Sequence, residues 1–260
     1  MSEPLEPSPL PFGTPEDPAI AAGAAPAAVT GLDRLVSLVE VALCSGLPTQ
    51  LFITAILVLS GLSPTRPDGG LSLAFVAALS LADTVLLTSL VLALLRLRGE
   101  APSRVFLGRR RPLREMLLGV ALVPAFFGAA AGLGWVIQRH AAWLHNVADN
   151  PLAGLLRTPA DFVVVGIVAV VAGGLREELQ RAFVLHRFDQ HLGGGAVGLV
   201  VFSAVFGAGH FVQGYDVMLI TALLGMAWGA MYLWRRSVVA AIVSHALFNL
   251  IEIAVFGTTQ

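Results

Sequence analysis

The stretch FVVVGIVAVVAGGLREELQRAFVL, residues 162–185, is apolar as far as Leu175 and then carries Arg, Glu and Gln side chains. A helix rises about 1.5 Å per residue, so this stretch can cross the roughly 30 Å hydrocarbon core of a bilayer. Charged groups inside such a helix are costly unless they are paired or hydrated, and those that occur there usually serve a function. The stretch therefore predicts a membrane helix that ends in a polar site.

The composition of the 260-residue chain extends this prediction to the whole protein. Hydrophobic residues make up 56% and charged residues only 13%, whereas soluble domains carry about 25% charged residues. The net charge of −1 provides no general attraction to nucleic acid. We therefore predict an all-α, polytopic membrane helical bundle. Its expected partners are membrane lipids, with no nucleic acid, and the oligomeric state stays open.

Seven apolar segments predict about seven transmembrane helices. The first contains Gly46, Leu47 and Pro48, where a kink is expected, and the fifth is barely long enough to cross. The approximate ranges are 35–62, 71–95, 116–137, 162–185, 195–211, 217–234 and 238–256.

The chain divides into three predicted regions. Residues 1–31 are rich in Pro, Ala and acidic side chains and predict a disordered tail. Residues 32–112 predict N-terminal transmembrane helices and a basic cytoplasmic loop, and residues 113–260 hold the remaining segments. Cytoplasmic loops carry an excess of Arg, so the seven Arg residues of the loop 96–114 place this loop and the N-terminus in the cytoplasm.

The fourth segment carries two adjacent carboxylates, Glu177 and Glu178, ahead of Arg181. On a helix, Glu177 and Arg181 are i,i+4 neighbours and can pair, while adjacent Glu side chains point about 100° apart. One Glu can therefore be held by Arg181 while the other faces a cavity and serves as a general base. The alternative is a helix that leaves the membrane with a solvated cluster of charges.

The fifth and seventh segments each contribute titratable or hydrogen-bonding groups. His210 follows a long apolar stretch and is either a catalytic group or a hydrogen-bonded core residue. His245 and Asn249 are i,i+4 neighbours on one helix face. They suit the binding of an oxyanion or a water, and equally suit hydrogen bonding between helices.

These motifs, in this order, resemble those of the CPBP family of CAAX proteases and bacteriocin-processing enzymes. The members are intramembrane peptidases related to the eukaryotic Ras-converting endopeptidase. The resemblance covers roughly residues 115–256 and rests on the Glu-Glu…Arg run, on Phe206-x-x-x-His210 and on His245-x-x-x-Asn249. It identifies residues 113–260 as a CPBP-like intramembrane protease core and implies a multi-pass protein of the bacterial inner (cell) membrane.

The family resemblance implies a hydrolase whose catalytic residues lie on three helices. They are Glu177, Glu178, His210, His245 and Asn249, with Arg181 in a supporting role. One Glu, together with His210, would activate a water that attacks a peptide carbonyl of a membrane-associated or prenylated protein. The His and Asn of the last helix would stabilise the oxyanion.

The first motif departs from the family pattern, in which three residues separate Glu-Glu from Arg-Gly. Here only two residues lie between Glu178 and Arg181. Aligning the Glu pair gives Glu177 the catalytic place, whereas aligning the Arg gives Glu177 the second Glu position and Arg176 the first. Glu178 stays the alternative, because a one-residue adjustment of the helix would exchange the two roles.

No cofactor is expected, and zinc is the alternative, bound by Glu177, His210 and His245. A metal-free mechanism is favoured because no HExxH helix is present. Two other functions compete with the peptidase. The first is a non-catalytic membrane protein of the same fold, in a bacteriocin-immunity or scaffold role, which the altered first motif favours. The second is a transporter with a proton relay.

Four ionisable residues outside the motifs carry predictions of their own. Glu40 and Asp83 fall inside apolar segments, where they could line a cavity or pair with Arg from a neighbouring helix. His186 and His191 flank Arg187 and are predicted to be solvated residues of a cytoplasmic turn.

Overall fold

The computed structural model describes residues 28–148 and 150–258, so residues 1–27 of the predicted tail lie outside the described part. Within the described ranges the chain forms helices and no β-strand, which confirms the predicted helical class. The helices are α1 (Gly31–Leu43), α2 (Leu47–Leu59), α3 (Leu73–Leu97), α4 (Pro102–Phe106), α5 (Pro112–His140), α6 (Pro159–Val168), a π-helical segment (Ala169–Arg176), α7 (Glu177–His191), α8 (Gly195–Ala208), α9 (Tyr215–Arg235) and α10 (Val239–Thr258).

Local sequence signals set several of the helix boundaries. Thr30 caps α1 and Thr158 caps α6, each through a reciprocal capping box with an Asp three residues later. The predicted kink in the first segment is confirmed. Gly46 adopts a φ of 89°, a conformation that only glycine reaches at low cost, and the chain turns there from α1 into α2.

The outer surface of the bundle is apolar. In the part of the chain that the structure describes, four helices or helix pairs are long and apolar enough to cross a membrane: Gly31–Leu59, Leu73–Leu97, Pro112–His140 and Tyr215–Arg235. The predicted fifth and seventh segments form shorter apolar helices, and the fourth forms the composite of α6, the π segment and α7. Only 17% of an apolar 18-residue stretch of α5 is buried within the protein. Lipid is the solvent that tolerates such exposure, since helices keep their backbone hydrogen bonds satisfied internally.

Small residues let the helices of the C-terminal half approach closely. Helix α10 packs against α5 and the π segment, and α8 packs against α9 and α7. A Cβ atom on Gly119 would lie 2.7 Å from the Ala240 carbonyl oxygen, and one on Gly207 would lie 2.5 Å from the Cβ of Ala222. Interfaces of this kind are typical of helices that associate inside membranes.

A buried ion cluster joins α1, the end of α3 and α7. Glu40 accepts hydrogen bonds from Arg98 at 2.7 Å and from Arg187 at 2.5 Å. Of the two alternatives that the sequence allowed for Glu40, it therefore adopts the pairing with Arg. Arg187 also donates to Glu100 at 2.5 Å, and His186 contacts the same carboxylate. A buried charge needs such partners to offset its desolvation.

The predicted location of the two histidines beside Arg187 is wrong. His186 and His191 lie within α7 rather than in a turn. His186 is paired with Glu100, and His191 lies 3.4 Å from an Arg98 nitrogen. The sequence prediction failed because the acidic partner is 86 positions away, so no local spacing indicated it.

The pairing of Glu100 predicts a pH-dependent stability. Burial raises the pKa of this carboxyl, but hydrogen bonds from His186 and Arg187 outweigh that effect and bring the pKa from 4.5 to about 2. A carboxyl with a lowered folded-state pKa stabilises the protein above its unfolded pKa, and the stability is lost as the pH falls through the folded pKa. We expect the Tm in detergent to fall between pH 4.5 and pH 2.

Glu100→Gln should reduce the pH dependence of Tm over this window, because its amide does not titrate. Gln190 and the two basic partners of Glu100 stay in place in this variant. Thermal unfolding followed by Trp fluorescence measures the effect. A variant curve that parallels the wild-type curve would show that Glu100 does not provide this stability.

Candidate active site

The two Glu residues of the first motif lie where the helix geometry changes. Residues Ala169–Arg176 form a π-helical segment, and α7 begins at Glu177. Segments of π-helix are rare and occur frequently at functional sites. The wider turn ends directly before the carboxylates and so sets the direction in which each of them leaves the helix.

Two glycines bring the π segment against α10. A Cβ atom on Gly174 would lie 2.7 Å from the Cβ of Ala246, and one on Gly173 would lie 2.5 Å from Nδ2 of Asn249. A larger side chain at Gly174 would therefore push α10 away, and one at Gly173 would displace the Asn249 amide. The glycines place the Glu pair and the His245-x-x-x-Asn249 motif side by side.

Glu178 is the buried member of the pair. It is 1% exposed, and its Oε1 forms an ion pair with Arg181 and lies 2.8 Å from Nδ1 of His245. Since a carboxylate accepts hydrogen bonds, Nδ1 of His245 carries the proton in this contact. Glu178 thus fixes the orientation of the His245 imidazole, and Nε2 of that ring stays available for another contact.

Glu177 is the accessible member of the pair, with 21% of its side chain exposed. Its Oε2 lies 3.9 Å from Nε2 of His245. This separation is too long for a direct hydrogen bond and is within reach of a single water that contacts both atoms. Arg181 therefore pairs with Glu178, three residues before it, and leaves the Glu177 carboxylate accessible. The i,i+4 pairing with Glu177, which the sequence also allowed, does not form.

Arg181 lies in an aromatic environment. Its guanidinium lies 4.6 Å from the ring centre of Phe206 and also faces Phe202 and Trp228. Glycines on α9 provide the room, since a Cβ on Gly225 would lie 2.7 Å from the Phe206 ring. Cation–π contacts and the Glu178 carboxylate together compensate a cation that is fully buried.

His210 lies next to this group without an ion pair to it. Its Nδ1 lies 2.9 Å from the Phe206 carbonyl oxygen, so Nδ1 donates and Nε2 is left with a lone pair. The Phe206 ring centre lies 5.2 Å from that of His210 and 6.4 Å from that of His245. Within the described residues, no carboxylate oxygen lies within 4 Å of a His210 nitrogen.

The structure adds Trp228 to the site, which no motif indicated. Its ring stacks on His245 with centres 3.9 Å apart and an interplanar angle of 12°. Its Nε1 donates to the Ser244 hydroxyl at 3.1 Å, and that hydroxyl donates to the Ala240 carbonyl oxygen. Trp228 therefore fixes the plane of the imidazole that Glu178 orients.

Removing this stack should impair catalysis. We expect Trp228→Leu to lower kcat roughly 10- to 100-fold, since a small misplacement of a catalytic group has effects of that order. Trp228→Phe keeps an aromatic face and should lose less. Both variants are first tested for folding by size-exclusion chromatography in detergent. A folded Trp228→Leu protein with the wild-type kcat would show that the stack does not position His245.

The three residues of the zinc alternative, Glu177, His210 and His245, do not come together as a metal site. Among the described residues, no group of three or more His, Cys, Asp or Glu side chains is arranged to hold a metal ion. Glu177 and His245 are neighbours, but His210 does not join them. The donor set therefore does not fit tetrahedral zinc with three protein ligands.

Comparison with known families identifies the segment that carries this geometry. Residues 159–251 match the Rce1-like family of type II CAAX prenyl endopeptidases. The match confirms the resemblance to CAAX proteases that the three motifs indicated. It covers just over a third of the chain and runs from the start of α6 into α10. The kind of function is that of a CAAX-type intramembrane protease, and the chain is an integral membrane protein.

The other comparisons gave no match, either among curated proteins or among solved structures.

Proposed function

We propose that this protein is a glutamate-type intramembrane endopeptidase that hydrolyses a peptide bond in the tail of a membrane-associated or prenylated protein. The main supporting observation is the 3.9 Å gap between Glu177 and Nε2 of His245, with the imidazole held by Glu178 and Trp228. At this separation one water, lying to the side of the line that joins the two atoms, can hydrogen-bond to Glu177 as the general base and to Nε2 of His245.

The proposed reaction starts from that water. Glu177 takes a proton from the water as its oxygen bonds to the carbonyl carbon, and the carbonyl oxygen becomes an oxyanion. His245, carrying both ring protons, donates through Nε2, and Asn249 donates through Nδ2 to this oxyanion. Collapse breaks the C–N bond, and the amine leaves with the proton from Glu177. His210, whose Nε2 is free, assists in moving the proton when substrate is bound.

The surroundings of His245 support its role as a hydrogen-bond donor. Nδ1 lies 2.8 Å from Glu178 Oε1 and Nε2 lies 3.9 Å from Glu177 Oε2, so a carboxylate faces each ring nitrogen.

An apolar groove supports a lipid-modified substrate. It has a volume of about 410 Å³ and lies between α6, the π segment and α10. Its lining is Phe162, Val163, Gly166, Ile167, Val170, Val171 and Leu250. Leu250 lies on α10, so the groove borders the helix that also carries His245 and Asn249. The proposed setting is the bacterial inner membrane, with the basic loop 96–114 and the N-terminus in the cytoplasm.

The proposal is tested with the full chain reconstituted in liposomes. The probe is a fluorogenic peptide that ends in a farnesylated Cys and three further residues, and the matched control is the same peptide without the lipid. We expect cleavage of the lipidated peptide, unchanged by a zinc chelator and lost in His245→Ala. Cleavage that persists in His245→Ala would contradict the proposed site, and cleavage that the chelator abolishes would contradict the metal-free mechanism.

A further inference from the structure

A buried ion pair connects the start of α7 to a helix outside the family match. Arg176, the last residue of the π segment, pairs with Asp83 of α3, and the two side chains are 8% and 3% exposed. Gln50 of α2 also contacts this carboxylate, at 3.4 Å. Arg176 directly precedes Glu177, so the pair acts on the backbone that carries the proposed base.

The bend between α1 and α2 contacts the junction at which the π segment passes into α7. Gln180 donates to the Cys44 carbonyl oxygen at 2.8 Å. A Cβ atom on Gly46 would lie 2.7 Å from Nη2 of Arg176 and 3.4 Å from Nε2 of Gln180. The α1–α2 bend, α2 and α3 therefore all contact the junction between the π segment and α7.

We propose that Asp83 is a positioning residue for the active site. By holding Arg176 against α3 and the Gly46 bend, it fixes the register in which the π segment passes into α7 and Glu177 faces His245. This inference rests on the proposed role of Glu177. It assigns to the N-terminal helices a function in catalysis that the CAAX-type segment does not supply.

The charges of the junction support this role. Arg181 neutralises Glu178 and Asp83 neutralises Arg176, which leaves Glu177 as the carboxylate that faces only His245. Without Asp83, Arg176 would be a buried cation with no carboxylate partner, next in the chain to Glu177. It would then compete for that carboxylate or pull the π segment out of register.

The single cysteine of the chain reports on this junction independently of activity. Cys44 is fully buried, and its carbonyl oxygen is the acceptor of Gln180. In the wild type it should resist N-ethylmaleimide in liposomes. Asp83→Asn should raise the labelling rate of Cys44 at least about fivefold, because an uncompensated buried charge loosens the packing around it.

The catalytic arm of the test uses the farnesylated peptide. Asp83→Asn should lower kcat roughly tenfold or more with little change in KM, since Asp83 acts on Glu177 and not on the substrate. The reversed pair Asp83→Arg/Arg176→Asp should recover a large part of kcat. Gly46→Ala, which displaces Arg176 without altering any charge, should also lower kcat. Asp68→Asn, which removes an exposed ion-paired carboxylate, is the matched control and should alter neither kcat nor labelling.

The outcomes separate the inference from the proposed function. If the wild type cleaves the peptide while Asp83→Asn keeps the wild-type kcat and a protected Cys44, the positioning role is wrong and the peptidase proposal stands. If kcat falls in Asp83→Asn and the reversed pair restores it, both are supported. If the wild type does not cleave the peptide, the proposed function is contradicted. In that case a protected Cys44 in Asp83→Asn would overturn the inference as well.

Discussion

Glu177→Gln is expected to lower kcat by about 10² to 10⁴, the range that a general base contributes. KM should change little, since the amide keeps the size of the carboxylate and only the proton transfer is lost. The free energy of unfolding should also change little. The side chain is partly exposed, and its nearest ionic contact is the 3.9 Å separation from His245.

The matched control for this variant is Asp68→Asn, the same carboxylate-to-amide change on an exposed residue outside the site. It should leave kcat unchanged. The decisive comparison is made with both proteins in the same liposomes and with kcat measured on the farnesylated peptide. A Glu177→Gln protein with more than about a tenth of the wild-type kcat would show that Glu177 is not the base.

Arg181→Leu should have the largest effect on stability. The substitution leaves the buried Glu178 carboxylate with His245 as its remaining partner. Breaking a buried ion pair by removing one partner costs about 3–5 kcal/mol. We therefore expect a marked fall in Tm in detergent. Cleavage should also be lost, because Arg181 would no longer hold the Glu178 carboxylate that orients the imidazole.

The double variant Glu178→Gln/Arg181→Leu should recover most of that stability without activity, since it removes both charges. Arg157→Leu, which breaks an exposed pair with Asp68, should change the free energy of unfolding by less than about 1 kcal/mol. If Arg181→Leu is as stable as Arg157→Leu, Arg181 does not compensate Glu178 in the way the structure indicates.

The arrangement of helices could largely be predicted from the sequence. Apolar runs of membrane length determine where the spanning segments lie, and the kink follows from Gly46 and Pro48, whose backbone preferences are local. The three motifs also indicated which residues gather at the site. Their resemblance to CAAX proteases is confirmed by the family match of residues 159–251.

The partners of these residues could not be predicted, because they depend on contacts between distant parts of the chain. Asp83 and Arg176 are 93 positions apart, and Trp228 is not part of any motif. The choice of Arg181 partner depends on a local feature that spacing alone does not show. The π segment ends just before Glu177. There the Glu177 side chain is partly exposed, whereas the Glu178 side chain is buried and pairs with Arg181.

The roles of the individual site residues stay predictions, and one measurement tests the central one, a water activated by Glu177. A single turnover is run with the protein in excess over the farnesylated peptide in H₂¹⁸O, and the products are analysed by mass spectrometry. A water attacking directly places one ¹⁸O atom in the new carboxylate of the peptide, leaves Glu177 unlabelled, and makes product formation in Glu177→Gln slower by about 10² to 10⁴. A first-turnover product without ¹⁸O, with the label in Glu177 instead, would make Glu177 a nucleophile and contradict the account, as would normal product formation by Glu177→Gln.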